Sequence, residues 1–298
     1  MPNGFLPVGE FANKVVEFVT TNDHGIFEKL GSVVGSFTEF IENILQGLPV
    51  GFIVGLFIIV GLWRVGWKFA LFCAISFWVI IGTNFWQATM TTLSLIVAST
   101  LISLILGIPL GVIMSRNDRL ATVFRPILDF MQTMPAFVYL IPAAMLFGLG
   151  RVPGVLATVI FSMPPVIRLT NLGIRQVNKE QVEAGITFGC TQLQLLLKVQ
   201  IPGAIPSIMA GVNQTIMMAL SMVIIASMVG AGGLGNDVLS GIQRLDVGLG
   251  FESGLAVVLL AIMLDRLTES FGRQQRTGAI SMYERITKIF KVRGIETA

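Results

Sequence analysis

One polar segment, flanked by two long apolar runs, contains the residues best suited to perform work in this chain. It covers 178–202, and its acidic, small and helix-starting residues are Glu183, Ala184, Gly185, Gly189 and Pro202. We expect a helix to begin at Glu183 and Ala184, the chain to reverse at Gly189, and a membrane helix to start at Pro202, where the missing N–H costs nothing. A short helix carried on two membrane helices can transmit a push from a protein docked outside the membrane. The pattern therefore predicts mechanical coupling to a partner.

Catalytic and metal-binding patterns are missing from the sequence. Its one histidine, His24, forms no Ser-His-Asp set with residues deep in the chain, and there is no Gly-x-x-x-x-Gly-Lys-Ser/Thr loop to bind nucleotide phosphates. The two cysteines, Cys73 and Cys190, do not have metal-ligand spacing. Acidic residues are scarce inside the apolar runs, which argues against an ion-driven transporter. We therefore predict a chain that is not an enzyme, holds no metal or cofactor and cannot hydrolyse ATP by itself.

The composition indicates a membrane protein. Of 298 residues, 54% are hydrophobic and 12% are charged, and the mean hydropathy is +0.81, whereas a soluble domain has about 25% charged residues. Apolar runs suited to a hydrocarbon core of about 30 Å recur along the chain. They lie at 48–63, 69–82, 86–114, 127–149, 153–169, 203–230 and 252–271. We predict an all-α, polytopic protein with about seven transmembrane helices in a domain covering 48–271.

The distribution of basic residues predicts the orientation of the chain. A net charge of +3 and a pI near 9.1 would suit a nucleic-acid-binding protein, but the basic residues cluster in alternate connections, and the connections between these clusters hold Arg151 and Arg244 singly. By the positive-inside rule, the clusters and the C-terminus are cytoplasmic and the N-terminus is external. The clusters are Arg64 and Lys68; Arg116, Arg119 and Arg125; Arg168, Arg175, Lys179 and Lys198; and Arg273, Arg276, Arg285, Lys288, Lys291 and Arg293. No nucleic-acid partner is predicted.

The two ends of the chain differ from its apolar centre. Residues 1–47 contain an amphipathic pattern from Ile26 to Leu45, with Glu39 and Glu42 on the polar face, which predicts a helix lying in the membrane interface. It is either a brace on the outer surface or part of a poorly ordered leader. The basic tail, 272–298, could contact anionic lipid or a partner, or fray.

The polar segment resembles the Glu-Ala-Ala motif of bacterial importer permeases of the ATP-binding-cassette class. That motif has Glu-Ala-Ala, three residues, Gly, nine residues and Ile-x-Leu-Pro. This chain has Gly185 in place of the second Ala, Val199 in place of Ile and Ile201 in place of Leu. These conservative departures leave the pattern intact.

Other stretches resemble one branch of that class, the glycine betaine/proline (quaternary amine) osmoprotectant permeases. The resemblance covers roughly 80–270, and its specific stretches are 128–139, 163–168, 213–217, 219–224 and 230–235. It implies a type I importer permease fold in a bacterial cytoplasmic membrane, with a role in osmoprotection. It also implies a homodimer, two cytoplasmic ATPase subunits that bind ATP and Mg, and an external substrate-binding protein or domain. The solute would cross by alternating access.

Eight residues are candidates for the translocation path. Met134-Pro135 and Met163-Pro164-Pro165 are expected to break their helices and free backbone carbonyls for a polar pore. Tyr139 could present its ring to a quaternary ammonium. Asn213, Met217 and Ser221 lie on one face of the sixth apolar run. Packing between helices by small and polar residues is an equal alternative.

Two other functional classes compete with the importer. An ion-coupled secondary transporter would need intramembrane acidic residues or inverted repeats, and neither is seen in the sequence. A non-transporting membrane scaffold would have no ATPase partner. In either case, changes at Glu183 or Gly189 should leave activity unaltered.

Overall fold

The computed structural model describes residues 25–272 together with Lys14 and Glu17, and this part of the chain is helical with no strand. Most of the predicted N-terminal region before Gly25, and the basic tail after Gly272, lie outside the described residues. The helices, numbered here in chain order, are α1 Ile26–Gly47, α2 Val50–Arg64, α3 Trp67–Gly82, α4 Trp86–Arg116, α5 Asp118–Thr133, α6 Ala136–Phe147, α7 Arg151–Arg175, α8 Lys179–Thr187, α9 Gln192–Leu195, α10 Ile201–Ala226, α11 Leu234–Arg244 and α12 Val247–Gly272.

Several helices are long and apolar enough to cross a membrane. Four qualify by themselves: α4, α7, the continuous stretch Gln192–Val229 that contains α10, and α12. The bent pairs α1–α2 and α5–α6 would raise the number to six, and α3 is apolar but has 16 residues. The chain is thus a multi-pass membrane protein. The count of seven crossings stays a prediction, because its seventh member would be α3.

Helix α7 lies at the centre of the molecule, where it packs most extensively against α10 and α4. Small residues allow these helices to approach closely. A Cβ added at Gly111 would lie 2.7 Å from the Ile167 carbonyl oxygen, and one added at Gly173 would lie 2.6 Å from Ser207 Cβ. Such contacts are typical of membrane helices, which associate by close packing and interhelical hydrogen bonds. The Ser103 and Ser162 hydroxyls, 3.1 Å apart, form one such bond between α4 and α7.

Prolines act differently in two of these helices. The apolar run at 127–149 is not one helix, because α5 ends and α6 begins at Met134-Pro135, with a bend of 98°. Met134 is extended there, as expected for a residue that precedes proline. The predicted break at Met163-Pro164 is wrong, since α7 continues through Pro164 and Pro165. Both prolines are buried between neighbouring helices, which can compensate for the hydrogen bonds lost in α7.

Helix α1 is the predicted amphipathic helix, and it is bent by 96° relative to α2. Its packing face differs from the expected one. Glu42, predicted on the polar face, is buried, forms an ion pair with Arg151 and accepts a hydrogen bond of 2.9 Å from the Thr91 hydroxyl. Large apolar residues of α1, such as Val33 and Phe40, are exposed instead. Helix α1 therefore contacts α4 and α7 partly through polar groups, beside the buried Val34, and presents several large apolar side chains outward.

Candidate functional site

The polar segment 178–202, called the coupling segment because coupling is its predicted role, begins its first helix one turn earlier than the sequence suggested. Helix α8 begins at Lys179 because Asn178 is its N-cap, accepting a hydrogen bond of 2.9 Å from the Glu180 N–H. Glu183 and Ala184 therefore lie in the middle of α8, and the expectation that they begin a helix is wrong. Both are exposed. Their position makes them part of the outer surface of a preformed helix.

The chain reverses at Gly189, as predicted. Its φ of +78° lies in the left-handed region, where a residue with a Cβ is strained. Helix α9 follows directly, and a capping box stabilises its N-terminus. The Thr191 hydroxyl accepts from the Gln194 N–H, and the Gln194 side chain accepts from the Thr191 N–H. The reversal is thus fixed on its far side by local hydrogen bonds.

Gly185 sets how closely the two arms of this hairpin approach each other. It is the buried residue of α8, and an added Cβ would lie 2.7 Å from Leu195 Cδ1 and 3.6 Å from Val199 Cγ2. Leu195 itself is buried. The hairpin therefore has a packed interior, although it is formed by the short segment 178–202 alone. Because the nearest atom is the end of a leucine side chain, a small residue such as alanine can be accommodated.

The second arm of the hairpin is continuous with a membrane helix. A π-helical turn, Leu196–Gln200, joins α9 to α10, and Pro202 occupies the first turn of α10 as predicted. Gln192–Val229 is consequently one helical stretch of 38 residues. A displacement of α9 is carried into α10 without an intervening loop.

Two arginines connect the hairpin and its base to the other central helices, and the sequence analysis did not identify this role for them. Arg116, at the end of α4, donates to the Gln192 side-chain carbonyl at 2.9 Å and to the Gln192 backbone carbonyl at 2.7 Å. Arg175, at the end of α7, donates to Asp118 at 2.6 Å and to the Met114 carbonyl at 2.8 Å. In the sequence both contribute simply to the excess of positive charge. The structure shows that they bind acceptors on different helices.

The outer surface of the hairpin is unusually apolar for a segment outside the apolar runs. Phe188 is 87% exposed, and Ile186, Leu193 and Leu197 are each more than half exposed. Beside them, Glu183 lines a cavity of about 370 Å³ together with Arg116 and Gln200. Within the described residues, Glu183 has no ion-pair partner. An exposed apolar patch bordered by an unpaired carboxylate is typical of a protein–protein interaction site.

Of the predicted path residues, Asn213 and Met217 lie together. They line a cavity of about 410 Å³ between α10 and the end of α12, where Glu269 also contributes. The Asn213 side-chain carbonyl accepts a hydrogen bond of 2.5 Å from the Thr268 hydroxyl. Ser221, two turns beyond Asn213, is exposed and donates to the Met217 carbonyl of its own helix.

The other path candidates lie elsewhere. Met163 packs against the buried cluster between α4, α5 and α7, and Pro164 is buried in α7. The Tyr139 hydroxyl donates to the Met131 carbonyl at 2.5 Å, across the break between α5 and α6, and its ring packs edge-on against Phe161. Met134 and Pro135 form that break. Within this single chain, these side chains make packing contacts between helices.

Two ion pairs lie near the ends of the helices, at residues of α5, α7 and α12. Asp129 pairs with Arg168 on α7 at 2.5 Å, and Arg266 pairs with Glu269 one turn along α12 at 3.2 Å. Residues 25–272 contain no group of three His, Cys, Asp or Glu side chains that could hold a metal ion. Among the described residues, the feature that stands out is a packed hairpin, which is continuous with α10 and hydrogen-bonded to the end of α4.

Comparison with known proteins agrees with this architecture. Residues 103–276 match the family described as binding-protein-dependent transport system inner membrane component. The chain is 44% identical to the glycine betaine/carnitine transport permease protein GbuB of Listeria monocytogenes serotype 1/2a (strain 10403S), over 93% of this chain and 100% of the relative. It is 44% identical to the glycine betaine/proline betaine transport system permease protein ProW of Escherichia coli (strain K12), over 91% and 77%.

A solved structure shows the same fold. The methionine transporter MetNI, in an inward-facing conformation, has a chain that superposes with a TM-score of 0.58, covering 66% of this chain and 95% of that one. At 18% identity, this likeness concerns the fold alone. The predicted type I importer permease fold is confirmed.

Proposed function

Because this chain belongs to the family of binding-protein-dependent transport system inner membrane components, we propose that it carries glycine betaine and related quaternary amines across the membrane. The chain is a permease subunit of an ATP-binding-cassette importer, and it is not itself an enzyme. Family membership implies an ATPase partner and a substrate-binding partner. The proposal concerns the solute, the assembly and the way in which the permease is driven.

The observation that carries the mechanism is the attachment of the coupling hairpin to the membrane helices. The second arm of the hairpin runs directly into α10. Its helix α9, next to the reversal at Gly189, is attached to α4 by Arg116. Closure of the ATPase subunits around bound ATP would displace the hairpin, and these attachments would transmit the movement to both helices. The translocation cavity between the membrane helices would then open outward to receive solute, and it would open inward after ATP hydrolysis. A rigid hairpin suits this task because little of the displacement is lost in bending.

The ATPase would bind on the exposed apolar patch of the hairpin. Phe188, Ile186 and Leu193 would enter a groove on the partner, and Glu183 would meet a basic or hydrogen-bond-donating residue there. A few residues that become fully desolvated near the centre of an interface supply much of its binding energy. We propose two ATPase subunits, one on each of two copies of this chain, with the hairpin and the C-terminus on the cytoplasmic face.

The quaternary-amine substrate is supported by the relatives, whose names specify glycine betaine together with carnitine or proline betaine. An external binding protein would select the solute, so the permease needs only a weak and briefly exposed site. Within this chain, the cavity at Asn213 and Met217 is the best candidate for a stretch of the path. It combines an amide with soft apolar side chains, which suits a cation that cannot donate hydrogen bonds. A role in osmoprotection follows from this class of solute.

The test is reconstitution of the permease with its ATPase and binding protein in proteoliposomes, followed by uptake of labelled glycine betaine. Glu183→Arg is expected to abolish uptake because its positive charge would repel the basic or donor group of the ATPase. Gly189→Pro is expected to abolish uptake because proline cannot adopt the positive φ of this position. Gly189→Asn should retain much of the activity, since asparagine tolerates the left-handed region. Glu252→Arg reverses a charge on an exposed residue of α12 and serves as the control.

Three results would contradict the proposal. Normal uptake by Glu183→Arg and Gly189→Pro would show that the hairpin does not couple the ATPase to transport. Isolation of the chain from its own membranes without an ATPase in one-to-one ratio would contradict the assembly. Uptake driven by the complete system for amino acids but not for betaines would contradict the solute while leaving the coupling mechanism unchanged.

A further inference from the structure

A cavity outside the transport machinery lies where the α2–α3 hairpin meets α12. It has a volume of about 520 Å³, and its lining combines two cations with apolar and aromatic groups. The cations are Lys68, in the first turn of α3, and Arg266, near the end of α12. The apolar part is formed by Trp67, Phe72 and Ile262. No other part of the proposed mechanism uses these residues.

The hairpin that forms one wall of this cavity faces lipid. Its outward side chains are large and apolar, which in a multi-pass membrane protein indicates contact with acyl chains. They include Phe52, Leu56, Ile59, Leu71, Ile75 and Trp78, all exposed. At the turn between α2 and α3, Trp63 is 79% exposed and Trp67 is 65% exposed. Tryptophans are concentrated at the level of lipid head groups, so the cavity lies at the membrane–water interface.

The hairpin is held against α12 by a separate residue. The Arg64 guanidinium donates to the Ser270 carbonyl at 3.3 Å and lies 4.6 Å from the centre of the Phe271 ring. Arg64 therefore makes contacts within the protein, and it does not line the cavity. Lys68, in contrast, is exposed and has no hydrogen bond or ion pair with the described residues. The cavity thus has a structural cation beside it and an unused cation within it.

Arg266 retains capacity to bind an anion. One of its nitrogens contacts Glu269 at 3.2 Å, in a pair whose side chains are 56% and 36% exposed. An exposed pair of this kind contributes little, and a guanidinium has five N–H donors, so several remain for a phosphate. Lys68 and Arg266 approach the cavity from two different elements. Their charge is therefore complementary to a single anion held between α3 and α12.

We propose that this cavity binds an anionic phospholipid of the surrounding bilayer. The lipid phosphate would lie between Lys68 and Arg266, Trp67 would pack beside the head group, and an acyl chain would follow Phe72 and Ile262 toward the membrane centre. Basic pockets between membrane helices on the cytoplasmic side bind anionic head groups in this way. The bound lipid would attach the α2–α3 hairpin to α12. The proposal does not depend on which solute the permease carries.

The test uses the purified chain in nanodiscs of phosphatidylcholine that contain a fixed fraction of brominated lipid, either phosphatidylglycerol or phosphatidylcholine. Bromine quenches tryptophan fluorescence at contact distance, and the Trp67→Phe variant identifies the part of the signal that belongs to Trp67. Each basic residue should favour the anionic lipid about fivefold, so quenching of Trp67 should report a preference of about 25-fold for phosphatidylglycerol. Lys68→Gln and Arg266→Gln should each lower it about fivefold.

The double variant should show no preference, while Arg125→Gln, which removes a cation from exposed α5, should leave the preference unchanged. Mass spectrometry of the detergent-purified chain should find a retained phosphatidylglycerol that the double variant loses. Equal quenching by the two brominated lipids in the wild-type chain would overturn the proposal. So would displacement of the lipid by inorganic phosphate at matched ionic strength, because the cavity would then be a site for small anions.

Discussion

The link between Arg116 and Gln192 is the contact through which α4 should follow the coupling hairpin. It consists of two hydrogen bonds from a charged donor, of 2.9 and 2.7 Å. Such bonds contribute about 1.5–3 kcal/mol each when sheltered, and about 0.5–1 kcal/mol at an exposed position such as this one. Arg116→Ala removes both and should lower the ratio of attached to detached hairpin by about 5- to 30-fold.

The second bond provides an internal comparison. Gln192→Ala removes the side-chain acceptor but leaves the backbone carbonyl, which still accepts from the Arg116 guanidinium. It should therefore lower the ratio by about two- to fivefold. Arg119→Ala is the matched control, because Arg119 lies in the first turn of α5, three residues after Arg116, and its side chain has no partner among the described residues. It removes the same charge without removing a bond.

The assay is the number of solute molecules taken up per ATP hydrolysed in proteoliposomes. We expect this number to fall most in Arg116→Ala, less in Gln192→Ala and not in Arg119→Ala, while ATP hydrolysis continues. Equal losses in Arg116→Ala and Arg119→Ala would show that net charge, and not the link, matters. An unchanged number in Arg116→Ala would refute the view that α4 is moved through this contact.

Three further predictions concern stability. Gly111→Ala should lower the free energy of unfolding by about 1–3 kcal/mol, because its Cβ would clash with the backbone carbonyl of Ile167 on α7. Thermal unfolding in detergent measures this change. The control variant Gly51→Ala, whose Cβ would point into open space, should be as stable as the wild-type chain. Glu42→Ala should lower the free energy of unfolding by about 2 kcal/mol, because it leaves Arg151 without its ion-pair partner, and the partial exposure of Arg151 keeps the loss from being larger. An unchanged melting temperature would contradict this. Burial raises the pKa of Asp237, on α11, from its usual 3.8. The folded state therefore binds the proton more tightly than the unfolded state, and stability should fall as pH rises from 3.8 through the folded-state pKa. Asp237→Asn should remove this dependence and stabilise the protein at neutral pH, as measured by unfolding across pH.

Local sequence patterns were sufficient to predict much of the backbone structure of the coupling segment. Gly189 could be placed at a reversal because a residue without Cβ can adopt the positive φ that a tight turn needs. Pro202 could be placed in the first turn of α10, but the sequence did not show that the helical stretch already begins at Gln192. The start of α8 was predicted wrongly, because the signal from Asn178 as N-cap was overlooked in favour of Glu183.

Contacts between distant residues could not be derived in this way. Glu42 follows the polar side of an amphipathic pattern, yet it is buried because Arg151, more than one hundred residues later, lies opposite it. The pairs Met134-Pro135 and Met163-Pro164 look alike in sequence, but the first breaks a helix and the second does not. Whether a proline-containing helix continues depends on the helices packed around it.

The sequence by itself determined that this chain is an all-helical membrane protein, and it predicts a hairpin driven by a partner, because hydrophobic runs, charge asymmetry and turn-forming residues act over a few neighbouring positions. Tertiary structure alone decided what that hairpin is attached to, which prolines bend the chain, and which cations line the cavity between α3 and α12. Those properties depend on which helices become neighbours. Residues far apart in the chain meet only after the helices have packed, and the free energy of each contact is set by what it meets there.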